Sequence, residues 1–257
     1  MKLELKPEIA VAYKSFSQRA RVLTETWVEE NLYCPACPSD NLCPTPKGKR
    51  VIDFTCSNCD EPYQLKSQSH PFRDRVMNSA YEPKIEAIRT GTIPNFLFLQ
   101  YDFRALIVSN LFVVPKHFMS QSIVERRKPL SERARRRGWV GSNILLGNLP
   151  ADARIQIVED GHEVSKTIVR DSWNRFLFLR EQSVYSRGWM ADVLACVRQF
   201  DKETFTLADV YAFEMQLARL HPRNKHIRPK IRQQLQVLRD HGIVEFLGKG
   251  VYRIRRL

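Results

Sequence analysis

Four cysteines fall in two pairs, Cys34-Pro-Ala-Cys37 and Cys56-Ser-Asn-Cys59, with 18 residues between Cys37 and Cys56. Paired C-x-x-C knuckles at this spacing suit the tetrahedral, four-sulfur site that structural Zn²⁺ prefers. Other chemistry is threaded through the same stretch: Asp53 stands just before the second pair, and Gln64-Leu65-Lys66 just after it. A carboxylate and a second oxygen ligand can hold Mg²⁺ against a phosphodiester, and a nearby lysine can orient the attacking water and offset charge in the transition state. The segment therefore reads as a zinc knuckle built into the turn between two halves of a hydrolytic site. Cys43, in a proline-rich loop, and Cys196, in a C-terminal helix, are read as unligated thiols. His70, His117 and His162 have no partner at metal or catalytic spacing and are read as surface or core residues.

Strand alternation decides whether these groups can meet. Successive side chains point to opposite faces, so Asp53 parts from Ile52 and Phe54, while Gln64 and Lys66 part from Tyr63 and Leu65. Pairing of residues 51–55 with 63–67 through the Cys56–Cys59 turn would bring the polar sides together on an outer face and send the apolar sides into the core.

The surrounding pattern supplies the scaffold. Residues 7–32 repeat apolar side chains at helical steps (Ile9, Ala12, Tyr13, Phe16, Ala20, Leu23, Trp27), and 74–89 is expected to be a second helix. Apolar runs at 95–101, 106–114 and 154–158 read as buried or half-buried strands. Residues 1–182 are thus expected to be an α/β domain with a central sheet. Residues 183–257 differ: helices at 188–200, 206–220 and 228–241, then a hairpin of 243–246 and 251–254, follow the order of a winged helix.

The charge points to a partner. Lys and Arg number 41 against 28 Asp and Glu, a net charge of +13, and such an excess favours a polyanion whose counterions are released on binding. Hydrophobic content of 43% argues against wholesale disorder. No apolar run reaches the roughly 20 residues of a membrane span and the N-terminus lacks a signal-peptide core, so a cytoplasmic protein is expected, without membrane partner or nucleotide cofactor. In a reducing compartment the paired cysteines read as metal ligands rather than disulfides.

Two surfaces are candidates for contacting nucleic acid. One is the cluster Arg135, Arg136, Arg137 and Trp139, where an indole stands among cations and its flat face is suited to a methyl group in the major groove. The other is the tail: Arg228, Arg232, Gln233 and Gln236 on the polar side of the third helix, Lys249 at the hairpin tip, and the terminal Arg253, Arg255 and Arg256. The winged-helix order suits duplex DNA better than RNA.

Asp53, ten intervening residues and Gln64-Leu65-Lys66 resemble the PD-(D/E)xK nuclease signature, and nearly the whole chain is similar to the methyl-directed restriction endonucleases of that superfamily. Ala20-Arg21-Val22-Leu23-Thr24-Glu25, Tyr33-Cys34-Pro35, Arg137-Gly138-Trp139, Ser186-Arg187-Gly188-Trp189 and Ile231-Arg232-Gln233-Gln234-Leu235-Gln236 carry the resemblance. It implies a restriction-endonuclease-like fold with an embedded four-cysteine zinc site and a C-terminal winged helix. It also implies a monomeric type II endonuclease that cuts adenine-methylated GATC duplex DNA. Mg²⁺ would be held by Asp53, Gln64 and the Leu65 backbone, with Mn²⁺ as a substitute, and Trp139 would sense the methyl group. Gln64 departs from the acid of the motif and supplies no charge. Glu25 is a carboxylate that could help, and a zinc-containing winged-helix protein that binds methylated DNA without cutting is the alternative.

Overall fold

The long apolar runs become strands covered on both faces. The computed structural model describes residues 1–46 and 51–255. Helix α1 (Phe16–Asn31) precedes β1 (Cys43–Pro44), β2 (Phe54–Thr55), β3 (Pro62–Gln68) and β4 (Arg75–Ala80); α2 (Tyr81–Arg89), β5 (Asn95–Asp102) and β6 (Ile107–Val114) follow. Next come β7 (Val124–Arg126), β8 (Gly141–Leu145), β9 (Ile155–Glu159), β10 (His162–Glu163) and α3 (Lys166–Asn174). Seven strands make one sheet in the order β1-β2-β3-β5-β6-β9-β10, and β4-β8-β7 form a second. Strands β3 and β5 are parallel, with Gln64 beside Phe96 and Lys66 beside Phe98. The chain crosses between them through β4 and α2.

Alternation along β5 divides the core. Leu97 and Leu99 pack with Phe54, Tyr63, Trp27, Val28 and Trp173, on the side of α1 and α3. Phe96 and Phe98 face the opposite way, into a cluster with Ile85 and Ile88 of α2, Val76 and Ile144 of the second sheet, and the C-terminal helices. Each fully buried large apolar side chain contributes about 1.5–3 kcal/mol, so the sheet that carries the candidate site is held from both sides.

The C-terminal part runs α4 (Val184–Val197), β11 (Thr204–Thr206), α5 (Leu207–Tyr211), α6 (Glu214–Leu220), α7 (Ile227–Asp240), β12 (Val244–Gly248) and β13 (Val251–Ile254). Its three strands pair in the order β11-β13-β12. Polar ties fix it to the rest. Buried Asp192 accepts from the Ser122 hydroxyl at 2.9 Å and lies 2.8 Å from His221 Nε2, while Arg198 donates twice to Asp152 at 2.6 Å. No helix among the described residues is long and apolar enough to cross a membrane.

Three expectations change in detail. Residues 75–80 are strand β4 rather than the start of a helix, because Val76 and Asn78 are buried while Arg75 and Met77 are exposed, a period of two. The first helix begins at Phe16, not near residue 7: Pro7–Ala10 is a separate short turn, and Tyr13 and Phe16 are exposed. The helix expected over 206–220 is two helices, and β11 ahead of it pairs with the wing. Thr206 caps α5, accepting from Asp209 N–H at 3.2 Å while Asp209 accepts from Thr206 N–H at 2.6 Å.

Candidate active site and metal cluster

The four cysteines converge from two elements. Cys34 and Cys37 follow the end of α1, and Cys56 and Cys59 lie on the turn between β2 and β3, where Asp60 adopts φ +56°. Their sulfurs all lie within 4.8 Å of one another, with 3.7 Å between Cys34 and Cys59 and 3.5 Å between Cys37 and Cys56. Zn–S bonds of about 2.3 Å in a tetrahedron set sulfurs about 3.8 Å apart, so the cluster fits Zn²⁺. Donors reach three of the sulfurs: Tyr63 Oη is 3.3 Å from Cys34 Sγ, Asn58 N–H donates to Cys56 Sγ at 3.4 Å, and the Asn58 amide donates to Cys37 Sγ at 3.4 Å. Burial still pushes the Cys34 thiol up to about 11, and the Cys59 thiol up as well. Burial would push the Cys56 thiol up, yet hydrogen bonds from Asn58, Cys59 and Cys37 outweigh it and bring the group down to about 7. Cys43 and Cys196 stand outside the cluster, and burial pushes the Cys196 thiol up to about 12.

On the other face of β3 the sequence motif assembles. Asp53 precedes β2 but already extends its pairing with both neighbours: its N–H donates to Tyr63 O of β3 at 2.9 Å and its carbonyl accepts from Thr45 N–H, just after β1, at 2.9 Å. Phe54 sits opposite Tyr63 in the ladder, both rings in the α1-side core, which turns Asp53 and Gln64 to the reverse side. Asp53 Oδ2 accepts from Leu65 N–H at 2.7 Å, fixing the carboxylate against β3. Lys66 is half-buried; burial lowers its amine below the ordinary lysine range and the Asp53 carboxylate acts against that. Glu25 of α1 is close enough to feel the charge of Asp53. Burial raises its carboxyl, Arg21 pulls it down, and the negative charge of Asp53 pushes it further up. The Thr24 hydroxyl donates to Ser67 Oγ at 3.0 Å and so fastens α1 to β3.

This face is not the outer one. Gln64 is 8 % exposed and looks toward Phe96 and α2, and its Oε1 is buried with no hydrogen-bond partner among the described residues. A buried acceptor left unmade is costly, and Gln64 Oε1 is therefore open to a ligand. The carboxylates of Asp53 and Glu25 with the amide oxygen of Gln64 form a hard oxygen set, which fits Mg²⁺ rather than a thiophilic metal.

One member of the site escaped the sequence reading. Lys84 of α2 is 2 % exposed, its Nζ lacks a hydrogen-bond partner among the described residues, and it lies 4.6 Å from the centre of the Phe96 ring. Burial and the like charge of Lys66 bring its amine down to about 7. A signal existed: Tyr81, Lys84, Ile85 and Ile88 follow the i, i+3, i+4, i+7 steps of a buried helical stripe, and a lysine on such a stripe is anomalous.

Comparison with known families completes the description. The profile of the DpnI family, described as Dam-replacing, matches residues 1–182, and that of the Dam-replacing HTH domain matches residues 185–254. The chain belongs to the DpnI family. It is thereby a protein similar to methylation-dependent restriction enzymes, with a DNA-binding HTH module of winged-helix order.

In this DpnI-family chain the two basic surfaces are differently built. Residues 127–140 form a loop between β7 and β8, closed by Arg127 N–H to Gly141 O at 3.0 Å and Leu130 N–H to Trp139 O at 2.9 Å. Arg135, Arg136 and Arg137 are exposed and Trp139 is half-buried, with the Arg136 guanidinium 4.9 Å from its ring centre. The indole lies so close over Gly141 that a Cβ there would come within 2.8 Å of ring carbons. Trp139 thus anchors the loop on one side while remaining partly open on the other. In the HTH module Ile227, Ile231, Leu235 and Leu238 are buried, and Arg228, Arg232, Gln233 and Gln236 are exposed. Arg228 is paired with Glu214 at 2.8 Å and Arg232 donates to Tyr211 Oη at 2.7 Å. Lys249 sits at the exposed hairpin tip with φ +49°, between Gly248 and Gly250. Arg253 and Arg255 reach Glu245 at 3.5 and 3.6 Å, and Arg256 lies outside the described residues. His117 is buried in the core against Phe118 and Trp173, while His70 and His162 are exposed.

Proposed function

We propose that the protein is a type II restriction endonuclease that hydrolyses phosphodiester bonds of adenine-methylated GATC duplex DNA in a Mg²⁺-dependent reaction. The observation that carries this reading is the placement of Asp53, just before β2, on the same face as Gln64 and Lys66 of β3, with Glu25 of α1 within electrostatic reach of Asp53. The methylated GATC target rests on the resemblance of the chain to the methyl-directed enzymes.

Each residue has a task in this scheme. Asp53, oriented by the Leu65 N–H, presents its carboxylate together with Gln64 Oε1 and the Leu65 carbonyl as the ligand set for the divalent ion. When bound, that ion neutralises charge on the scissile phosphate. Lys66 orients the attacking water and donates toward the phosphoryl oxygens as negative charge builds on them. The zinc cluster takes no part in the chemistry; it pins the β2–β3 turn so that Asp53 and Lys66 stay in register. Residues 1–182 cut, and both they and residues 183–257 read the site, with Arg135, Arg136, Arg137 and Lys249 on phosphates. Trp139 meets the methyl group, and Arg228, Arg232, Gln233 and Gln236 approach the bases.

Gln64 favours one second reading, a protein that recognises methylated DNA without cutting it, because an amide contributes no charge to metal binding. Plasmids from adenine-methylating and non-methylating hosts, each incubated with the zinc-loaded protein in Mg²⁺, Mn²⁺ or EDTA, separate the two. Cutting of the methylated plasmid alone, and only with metal, is the expected result. Tight methyl-dependent binding with both plasmids left intact would establish the non-cutting reader instead.

A further inference from the structure

Lys84 has no task in the scheme above, yet its placement is expensive. An ammonium buried without an anion is unfavourable, and an apolar side chain would fill this position on the stripe of α2 at no such cost. The ring of Phe96, 4.6 Å from Nζ, compensates only in part. Phe96 is the parallel register partner of Gln64, and paired positions in adjacent strands carry their side chains on the same face. Lys84 therefore caps the sheet where Gln64 stands, with Lys66 close enough to repel it. A donor and an acceptor without partners among the described residues, Lys84 Nζ and Gln64 Oε1, thus flank the same ring, that of Phe96.

The charges belong together. Glu25 and Asp53 bring two carboxylates, Lys66 and Lys84 two amines, and Gln64 no charge; Lys84, brought down to about 7 by burial and by Lys66, still carries part of its positive charge near neutral pH. Building on the nuclease reading, we propose that Lys84 sets the charge of the candidate catalytic site, so that the DNA-free protein holds divalent cations weakly and takes them up when a DNA phosphate supplies the missing anion. Gln64 fits this arrangement because a carboxylate at that position would pair with Lys84 before it served a metal. Metal uptake then follows DNA binding, and the free protein is kept from random hydrolysis.

The test is calorimetric titration of Mn²⁺ into the zinc-loaded, DNA-free full chain. Wild type is compared with Lys84→Met, Gln64→Glu, the double variant and Asp53→Ala. Lys84→Met is expected to tighten Mn²⁺ binding by about tenfold or more, as removal of one nearby like charge at intermediate dielectric implies. Gln64→Glu alone should change affinity by less than about threefold, and the double variant should exceed the product of the single effects, the signature of coupled neighbours. An unchanged affinity in Lys84→Met, an equal gain from Gln64→Glu in both backgrounds, or no Mn²⁺ uptake by any variant would overturn the proposal. Asp53→Ala separates its failure from that of the nuclease reading. Mn²⁺ binding that survives Asp53→Ala means the ion is not held here, and the nuclease site itself is wrong. Loss of binding in Asp53→Ala with no effect of Lys84→Met removes only the role of Lys84.

Discussion

Strand β3 separates two polar regions that are built on opposite terms. On the α1 side, the cysteine sulfurs are within reach of one another, and Tyr63 and Asn58 bond to three of them. On the α2 side, Gln64 Oε1 and Lys84 Nζ are buried without partners, and Lys66 and Lys84 repel each other. Internal satisfaction is what a structural centre requires. Unsatisfied, mutually opposed groups fit the proposed site for substrate and metal, since local violations of good packing tend to mark function. One strand thus carries a finished joint and an unfinished site.

The largest effect should come from breaking the finished side. Stripping zinc with a chelator, or Cys56→Ser, is expected to cost several kcal/mol and lower the melting temperature by more than about 10 °C, because metal binding and folding are linked. Circular dichroism melts with zinc analysis check this, and an unchanged melt in the metal-free protein would show that the cluster does not hold the turn. Next is the unfinished side. Lys84 has a folded value near 7 against an ordinary 10.5, so its unfavourable burial is felt fully below about pH 7 and fades as pH rises toward 10.5. Wild-type stability should therefore climb over that window by up to about 1.4 kcal/mol per pH unit, while Lys84→Met should be more stable at pH 7 and lack the climb.

A third variant tests whether buried unpartnered atoms alone signal function. His117 has both ring nitrogens buried and unpartnered among the described residues, but it sits against Phe118 and Trp173. Burial, with the charges of Arg180, Arg187 and Lys116, pushes it down to about 3. It stays neutral in the fold while the unfolded chain takes a proton below pH 6.5, so stability falls as pH drops from 6.5 toward 3. His117→Leu should flatten that acid limb, by about 1 kcal/mol per pH unit, and leave cleavage intact. Loss of cleavage in this variant would blur the distinction drawn above. The smallest effect concerns the basic loop. Trp139→Ala should lower affinity for a methylated duplex about tenfold, the scale of one methyl contact in an apolar pocket, and leave the unmethylated duplex nearly unaffected. Equal losses on both duplexes in a binding titration would make Trp139 only a loop anchor.

The finished side was legible in the sequence because spacing alone nearly determines it: two C-x-x-C pairs leave few other geometries. The Asp53 and Gln64-x-Lys66 pattern could be placed on one face because strand alternation is strict. What sequence misread was the direction of that face. Alternation shows which residues share a side but not what covers it, and the cover here, α2 and the second sheet, depends on Val76 and Asn78 belonging to a strand rather than a helix. Lys84 went unread although the helix expected over 74–89 already set it on one stripe with Tyr81, Ile85 and Ile88. In the tail, Ile231, Leu235 and Leu238 announced α7 through their period, whereas the three-residue β11 was too short to signal itself.

The account turns on Asp53. Its most direct test is single-turnover cleavage of a labelled duplex carrying one N6-methyladenine GATC site, by zinc-loaded wild type and Asp53→Ala in Mg²⁺, with binding to the same duplex measured in Ca²⁺. The account predicts that wild type cuts, that Asp53→Ala loses at least about 10³-fold in rate, as removal of a catalytic metal ligand implies, and that both bind within a few-fold of each other. Cleavage that persists in Asp53→Ala, or a wild type that binds the duplex and never cuts it, would contradict it.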